Sequence, residues 1–215
     1  MPPNDWMKKY TGYLKDVEGK IIYNDKHVPY KDRGGKWTIG YGKLISESHL
    51  GKGKEKTIKR HGSNYTVWVD VEGGNESMKW DEKQAEESLK QEAESSLSDA
   101  KDYATKRGFN WESLSDRKKY GLADFVYNLG IPKMTTSFKY KGAIRKGQYW
   151  DTMGMYLRGD KRAITKGYYK RKVKTSKGNI ELKGRNKKWK ELFGGLGEDV
   201  AMGTMLQLDN PLGMV

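Results

Sequence analysis

The chain has 215 residues, a formal charge of +14, no cysteine and a mean hydropathy of −0.95. Without cysteine there are no disulfides or thiolate metal sites, and His27, His49 and His61 lack metal-binding spacing, so any catalysis is expected to rest on carboxylates, with no metal or cofactor. No run approaches the roughly 18 apolar residues of a membrane span, and the N-terminus lacks a secretory apolar core, so a soluble protein made in the cytoplasm without a signal peptide is expected.

Seven Trp and fourteen Tyr still provide large apolar surfaces for a core. Trp6, Tyr10, Tyr13, Leu14 and Val17 recur at three- and four-residue intervals, which predicts a first helix ending near Glu18-Gly19. Between residues 20 and 71 the pattern turns to β, with Ile21 to Tyr23, Trp37 to Gly40 and the alternating Tyr65 to Val71. Gly34-Gly35 and residues 51–54 supply turns. Residues 81–106 carry Ala85, Leu89, Ala93, Leu97 and Ala100 at helical spacing on a charged background, the pattern of a long connecting helix. Ser113 or Ser115 caps the next helix, whose run Tyr120, Leu122, Ala123, Phe125, Val126 and Leu129 is apolar almost all round, until Gly130 and Pro132 end it. Further helices are predicted over residues 138–146, 149–157 and 186–193, followed by a Gly- and Met-rich tail over 194–215.

The charge is concentrated. Residues 158–190 hold fourteen Lys and Arg against Asp160 and Glu181, interspersed with Tyr168, Tyr169 and Trp189. Such a patch suits a polyanion, either nucleic acid or an anionic wall polymer, although it also serves solubility alone.

Glu18 stands where a helix meets the β region, a place where a carboxyl can be half-buried and hold its proton. A helix C-terminus is a poor electrostatic location for a carboxylate, which hints at function. Asp32 falls in a glycine-flanked turn and Thr38 on the following strand. Two carboxyls across a lobe boundary are the minimum machinery of glycoside hydrolysis. Each residue also has a structural reading: Asp32 as an Asx-turn residue, Thr38 as a β-former. Asp25 competes with Asp32, since it follows a Tyr-Asn pair and lies nearer Glu18.

The stretch Tyr30-Lys31-Asp32-Arg33-Gly34-Gly35-Lys36-Trp37-Thr38-Ile39-Gly40-Tyr41-Gly42 closely resembles the Y-x-D-x-x-G-x-x-T-I-G-x-G hairpin of the small bacteriophage lysozymes, the muramidases of glycoside hydrolase family 24. Glu18-Gly19 stands where that family has its catalytic Glu-Gly. Trp80-Asp81-Glu82, Phe125 to Gly130, Phe138 with Ile144 and Trp150, and Gly184-Arg185-Asn186 ahead of Phe193 follow in family order.

The resemblance implies an α+β, two-lobed phage-lysozyme-like fold, with a small antiparallel β lobe and a helical bundle joined by a long helix. The lysozyme domain is expected over residues 1–193, with the β lobe at about 19–77 and the helical lobe at 1–18 plus 78–193. The tail becomes a linker or an assembly contact. By the same resemblance Glu18 is the general acid, Asp32 the base or water-orienting carboxylate, and Thr38 the hydroxyl that helps hold the attacking water. Asn128 and Arg185 are the substrate-side residues, Asn128 as a cleft amide and Arg185 as the basic group behind Glu18. The implied reaction is inverting hydrolysis of the β-1,4 bond between N-acetylmuramic acid and N-acetylglucosamine in bacterial peptidoglycan. The basic patch would draw the enzyme to anionic wall polymers. A holin-released endolysin and a virion-associated lysozyme touching other tail proteins are both open, and the Gly/Met tail favours the second. The competing class is a non-catalytic basic binder, of cell wall or nucleic acid, on a lysozyme-like scaffold.

Three departures from the family pattern stand out. About five extra residues lie between Glu18-Gly19 and Tyr30, which predicts a bulged first strand or a longer hairpin. Lys43 occupies a position where the family often has His. Residues 168–183 look like a basic insertion.

Overall fold

The computed structural model describes residues 3–32, 34–60, 62–131, 138–140, 143–145, 150–159, 172–175, 178–181 and 183–194. Helix α1 (Pro3–Glu18) buries Tyr10, Tyr13 and Leu14 on the face expected from the sequence, with Trp6 and Val17 partly covered. It stops at Gly19, whose φ of +69° is the left-handed conformation that ends a helix at no steric cost to glycine.

The residues after Gly19 form a hairpin of their own. Strands β1 (Ile22–Tyr23) and β2 (Lys26–His27) pair across Asn24-Asp25, both at positive φ, the two-residue turn whose twist matches the strands. The main sheet has five antiparallel strands: β3 (Tyr30–Lys31), β4 (Trp37–Ile39), β5 (Lys43–Leu44), β6 (Lys54–Arg60) and β7 (Ser63–Val69), in the order β5-β4-β3-β7-β6. Tyr30 lies opposite Thr38 in the β3–β4 register. Ile21, Val28, Tyr30, Val67 and Val69 form a small core beneath it.

Helix α2 (Glu82–Lys106) opens with a reciprocal capping box between Asp81 and Gln84 and buries Ala85, Leu89, Ala93 and Ala100 as its spacing predicts. It is tied to the sheet region at its start. His27 and Trp80 exchange both backbone hydrogen bonds, at 2.8 and 2.9 Å. Glu82 accepts hydrogen bonds from Lys20, Tyr41 and His27. Partial burial favours the neutral acid, but these three donors outweigh it and hold the Glu82 carboxyl down at about 2.

The larger core gathers around α3 (Asp116–Leu129), capped by Ser115. Phe125 packs on Tyr156 of α4 (Trp150–Leu157) and on Trp189 of α5 (Lys183–Phe193). Gly121, in the middle of α3, is where these helices meet. A Cβ there would fall 2.1 Å from the Tyr156 hydroxyl and 3.1 Å from the Phe193 Cβ. Alanine in a helix interior ordinarily stabilises over glycine by about 1 kcal/mol. Here the sign is expected to reverse: Gly121→Ala lowers stability by ~1–3 kcal/mol in urea unfolding, the usual cost of overpacking. Tyr156→Phe in the same chain recovers part of the loss. A Gly121→Ala protein more stable than the parent would show that the contact yields freely.

One predicted helix is corrected. Residues 138–146 contain a strand pair, β8 (Phe138–Tyr140) with β9 (Ala143–Arg145). Phe138-Lys139-Tyr140 alternates with period two and Lys141-Gly142 offers a turn dipeptide before Ala143-Ile144-Arg145, so hairpin chemistry overrides the helix reading. Within the basic stretch, β10 (Lys172–Thr175) pairs with β11 (Gly178–Glu181). Tyr168, Tyr169 and residues 195–215 lie outside the described residues, as do the readings placed on them. Among the described residues, no helix is long and apolar enough to cross a membrane.

Candidate active site

Glu18 is the last residue of α1, and its carboxyl is packed between the sheet and the helices. On the sheet side it meets Gly42, whose φ of +97° needs glycine and whose absent Cβ would lie 3.2 Å from Oε2. On the helical side Arg185 Nη1 of α5 donates to Glu18 Oε1 at 2.5 Å. The two side chains are 10% and 19% exposed, so this pair is far better shielded than a surface ion pair.

Asp32 sits at the start of the β3–β4 turn. Its Oδ1 accepts the backbone N–H of Gly34 at 2.8 Å and of Lys36 at 2.9 Å. The turn closes on itself, since Asp32 N donates to Lys36 O and Gly35 N to Asp32 O. The structural role anticipated for Asp32 is therefore real and is met by one carboxylate oxygen. Thr38 is buried, and its hydroxyl donates to Lys36 O at 3.2 Å.

Tyr30 is buried on β3, within the electrostatic range of both carboxylates. Burial, together with the charges of Glu18 and Asp32, pushes its phenol up to about 12. One side chain thus feels both carboxylates, and Tyr30 is the cross-strand partner of Thr38. Thr38 is thus the cross-strand neighbour of a tyrosine within electrostatic range of both Glu18 and Asp32. Asp25 is exposed and at φ +57° in the β1–β2 turn, a conformation that Asp tolerates.

A groove of about 500 Å³ opens beside Glu18, lined by Gly42, Lys43, Leu44, Glu92, Val126 and Tyr127 among others. Leu44 is 55% exposed, an apolar surface suited to a sugar face. Tyr127 donates to Tyr41 O at 3.3 Å. Burial, with the charges of Glu18 and Glu92, raises the Tyr127 phenol and keeps it protonated, against an opposing effect of Arg185. Across the groove Lys43 Nζ lies 2.6 Å from Glu92 Oε1. The Lys at this position therefore makes its own ion pair, from β5 to α2.

Asn128 makes its contacts within α3. Its amide nitrogen donates twice to Asp124, to the backbone carbonyl at 2.7 Å and to Oδ1 at 2.8 Å. Asp124 Oδ1 also takes Arg185 Nη2 at 3.2 Å and is fully buried. The sequence reading missed Asp124. Its signal was a lone acid inside Leu122-Ala123-Asp124-Phe125-Val126, since a carboxylate in an apolar helix run must be compensated in the interior. Among the described residues, no group of His, Asp and Glu could hold a metal ion.

A family model described as phage lysozyme matches residues 20–174. No curated protein and no solved structure matches the chain. The matched stretch includes Asp32, Thr38 and Asn128, begins two residues after Glu18 and ends before Arg185.

Proposed function

Because the chain belongs to the phage lysozyme family and is a peptidoglycan hydrolase, we propose that it cleaves the β-1,4 bond between N-acetylmuramic acid and N-acetylglucosamine with inversion. Glu18 is the general acid and Asp32 the base. The observation that carries this reading is the Glu18 carboxyl, wedged between Arg185 and Gly42 beside the groove, with Asp32 acting on the same Tyr30 phenol.

The chemistry follows from the two environments. A glycan strand lies along the groove past Leu44 and Tyr127. Glu18 gives its proton to the glycosidic oxygen as the bond from that oxygen to C1 breaks. A water attacks C1 from the opposite face and passes a proton to Asp32. Because both turn N–H groups are held by Oδ1, Oδ2 is left to orient this water, with the Thr38 hydroxyl close by. Inverting enzymes keep their carboxyls about 6.5–9.5 Å apart so that a water fits between them. One proton leaves Glu18 and one reaches Asp32, so the cycle ends with exchange to solvent.

The anomeric form of freshly released muropeptides, read by proton NMR within the first minutes, tests this reading. The α-anomer is expected, and the β-anomer would overturn inversion. Asp32→Asn is expected to lower the rate by about 10²–10⁴, the usual worth of a general base, whereas Asp25→Asn changes it less than about twofold. The reverse ranking would move the base to Asp25. Whether the enzyme works from inside the infected cell or from the virion is decided by mass spectrometry of purified particles.

A further inference from the structure

We propose that Asp124 is a positioning residue that shares the Arg185 guanidinium with Glu18, so that Glu18 stays fixed in place and yet retains its proton. This inference rests on Glu18 being the general acid. A guanidinium paired with Glu18 alone would favour the ionised carboxylate, the wrong form for a proton donor. The geometry supplies a remedy. Arg185 directs Nη1 to Glu18 and Nη2 to Asp124, so one positive charge is divided between two carboxyls.

With both carboxyls ionised the trio carries one negative charge in a shielded site, and a single proton makes it neutral. Asp124 is 0% exposed, and its Oδ1 receives the Asn128 amide at 2.8 Å as well as Arg185 Nη2 at 3.2 Å. Glu18 is 19% exposed and packs against Gly42, which lines the groove. Of the two carboxyls, Glu18 is the one that a substrate can reach, so it is the one placed to give up that proton.

The other groups facing the trio do not reverse this. Tyr10 of α1 lies near Asp124 with its phenol held up by burial and then by the Asp124 charge. Tyr30 and Tyr127 are likewise held neutral. Asp32 adds negative charge from the β3–β4 turn, which favours protonation of Glu18 further. Glu92 of α2 is paired with Lys43, and Asp16 of α1 with Lys188 of α5 at the surface.

The test is the pH dependence of kcat/KM on peptidoglycan, whose alkaline limb reports the general acid. Asp124→Asn keeps an oxygen for Arg185 but removes the charge. The alkaline limb is expected to move to lower pH by about one unit, with roughly tenfold lower kcat above it and little change in KM. Asn128→Ala removes the amide donor that holds Asp124 Oδ1 beside Arg185, so it shifts the limb the same way by a smaller amount, and it decides the matter if Asp124→Asn does not fold. An unmoved limb in the folded variants would overturn the role of Asp124 while leaving Glu18 as the acid. Full activity in Glu18→Gln would instead overturn the reading on which this inference rests.

Discussion

Glu18→Gln is expected to abolish peptidoglycan clearing while leaving the fold intact. General acid catalysis is worth about 10²–10⁴ in rate, and glycosides are poor substrates without a protonated leaving group, so the loss belongs at the upper end of that range. Glutamine has the same shape as glutamic acid and can still accept the Arg185 hydrogen bond through its carbonyl, so the space beside Gly42 is filled as before. What it lacks is a transferable proton. Thermal unfolding within a few degrees of the parent, together with a rate at the level of background, is the expected pair of results. A variant that clears cell walls at the parental rate would remove Glu18 from the chemistry. If the protein were only a basic binder, wall binding would persist in both forms and neither would release glycan.

Much of this site was legible because its parts are local. The 30–42 hairpin carries its identity in consecutive residues, and the end of α1 is marked by Gly19 directly after Glu18. Helix α2 declares itself through Asp81, Gln84 and the Ala/Leu stripe. The elements that escaped are those whose signal is weak or shared. Strand β6 reads Lys-Glu-Lys-Thr-Ile-Lys-Arg, an exposed edge with no apolar alternation, and it is defined by pairing with β7. The β8–β9 hairpin was masked by residues equally at home in a helix.

The partnerships across the chain were harder still. Nothing near Lys43 in sequence names Glu92, and nothing near Glu18 names Asp124, because these pairs exist only once α2 and α3 are docked. Arg185 was visible as a candidate, but its bond to Asp124 was not. That second bond turns a simple ion pair into a divided one. Asn128, expected beside the substrate, is drawn into the same arrangement by its i to i+4 relation to Asp124 on α3.

Arg185→Met should therefore carry the largest stability cost of any substitution at the site. It leaves two carboxyls, one fully buried, without the guanidinium between them. Breaking a buried ion pair from one side typically costs about 3–5 kcal/mol, because the remaining charge is desolvated and uncompensated. That loss is expected as a lower urea midpoint at pH 7 with an unchanged slope. The sign of its pH dependence follows from proton counting. In the variant the uncompensated carboxyls bind protons more readily in the folded chain than in the unfolded one, so stability falls as pH rises and the deficit shrinks on acidification through the carboxylate range. Removing the second charge isolates the cause. In Arg185→Met with Asp124→Asn the buried negative charge is gone, and much of the lost stability is expected to return, so the two changes are strongly non-additive. Strict additivity, with the double variant weaker than either single one, would mean that Arg185 stabilises the fold through packing of its aliphatic stem and that its charge is incidental.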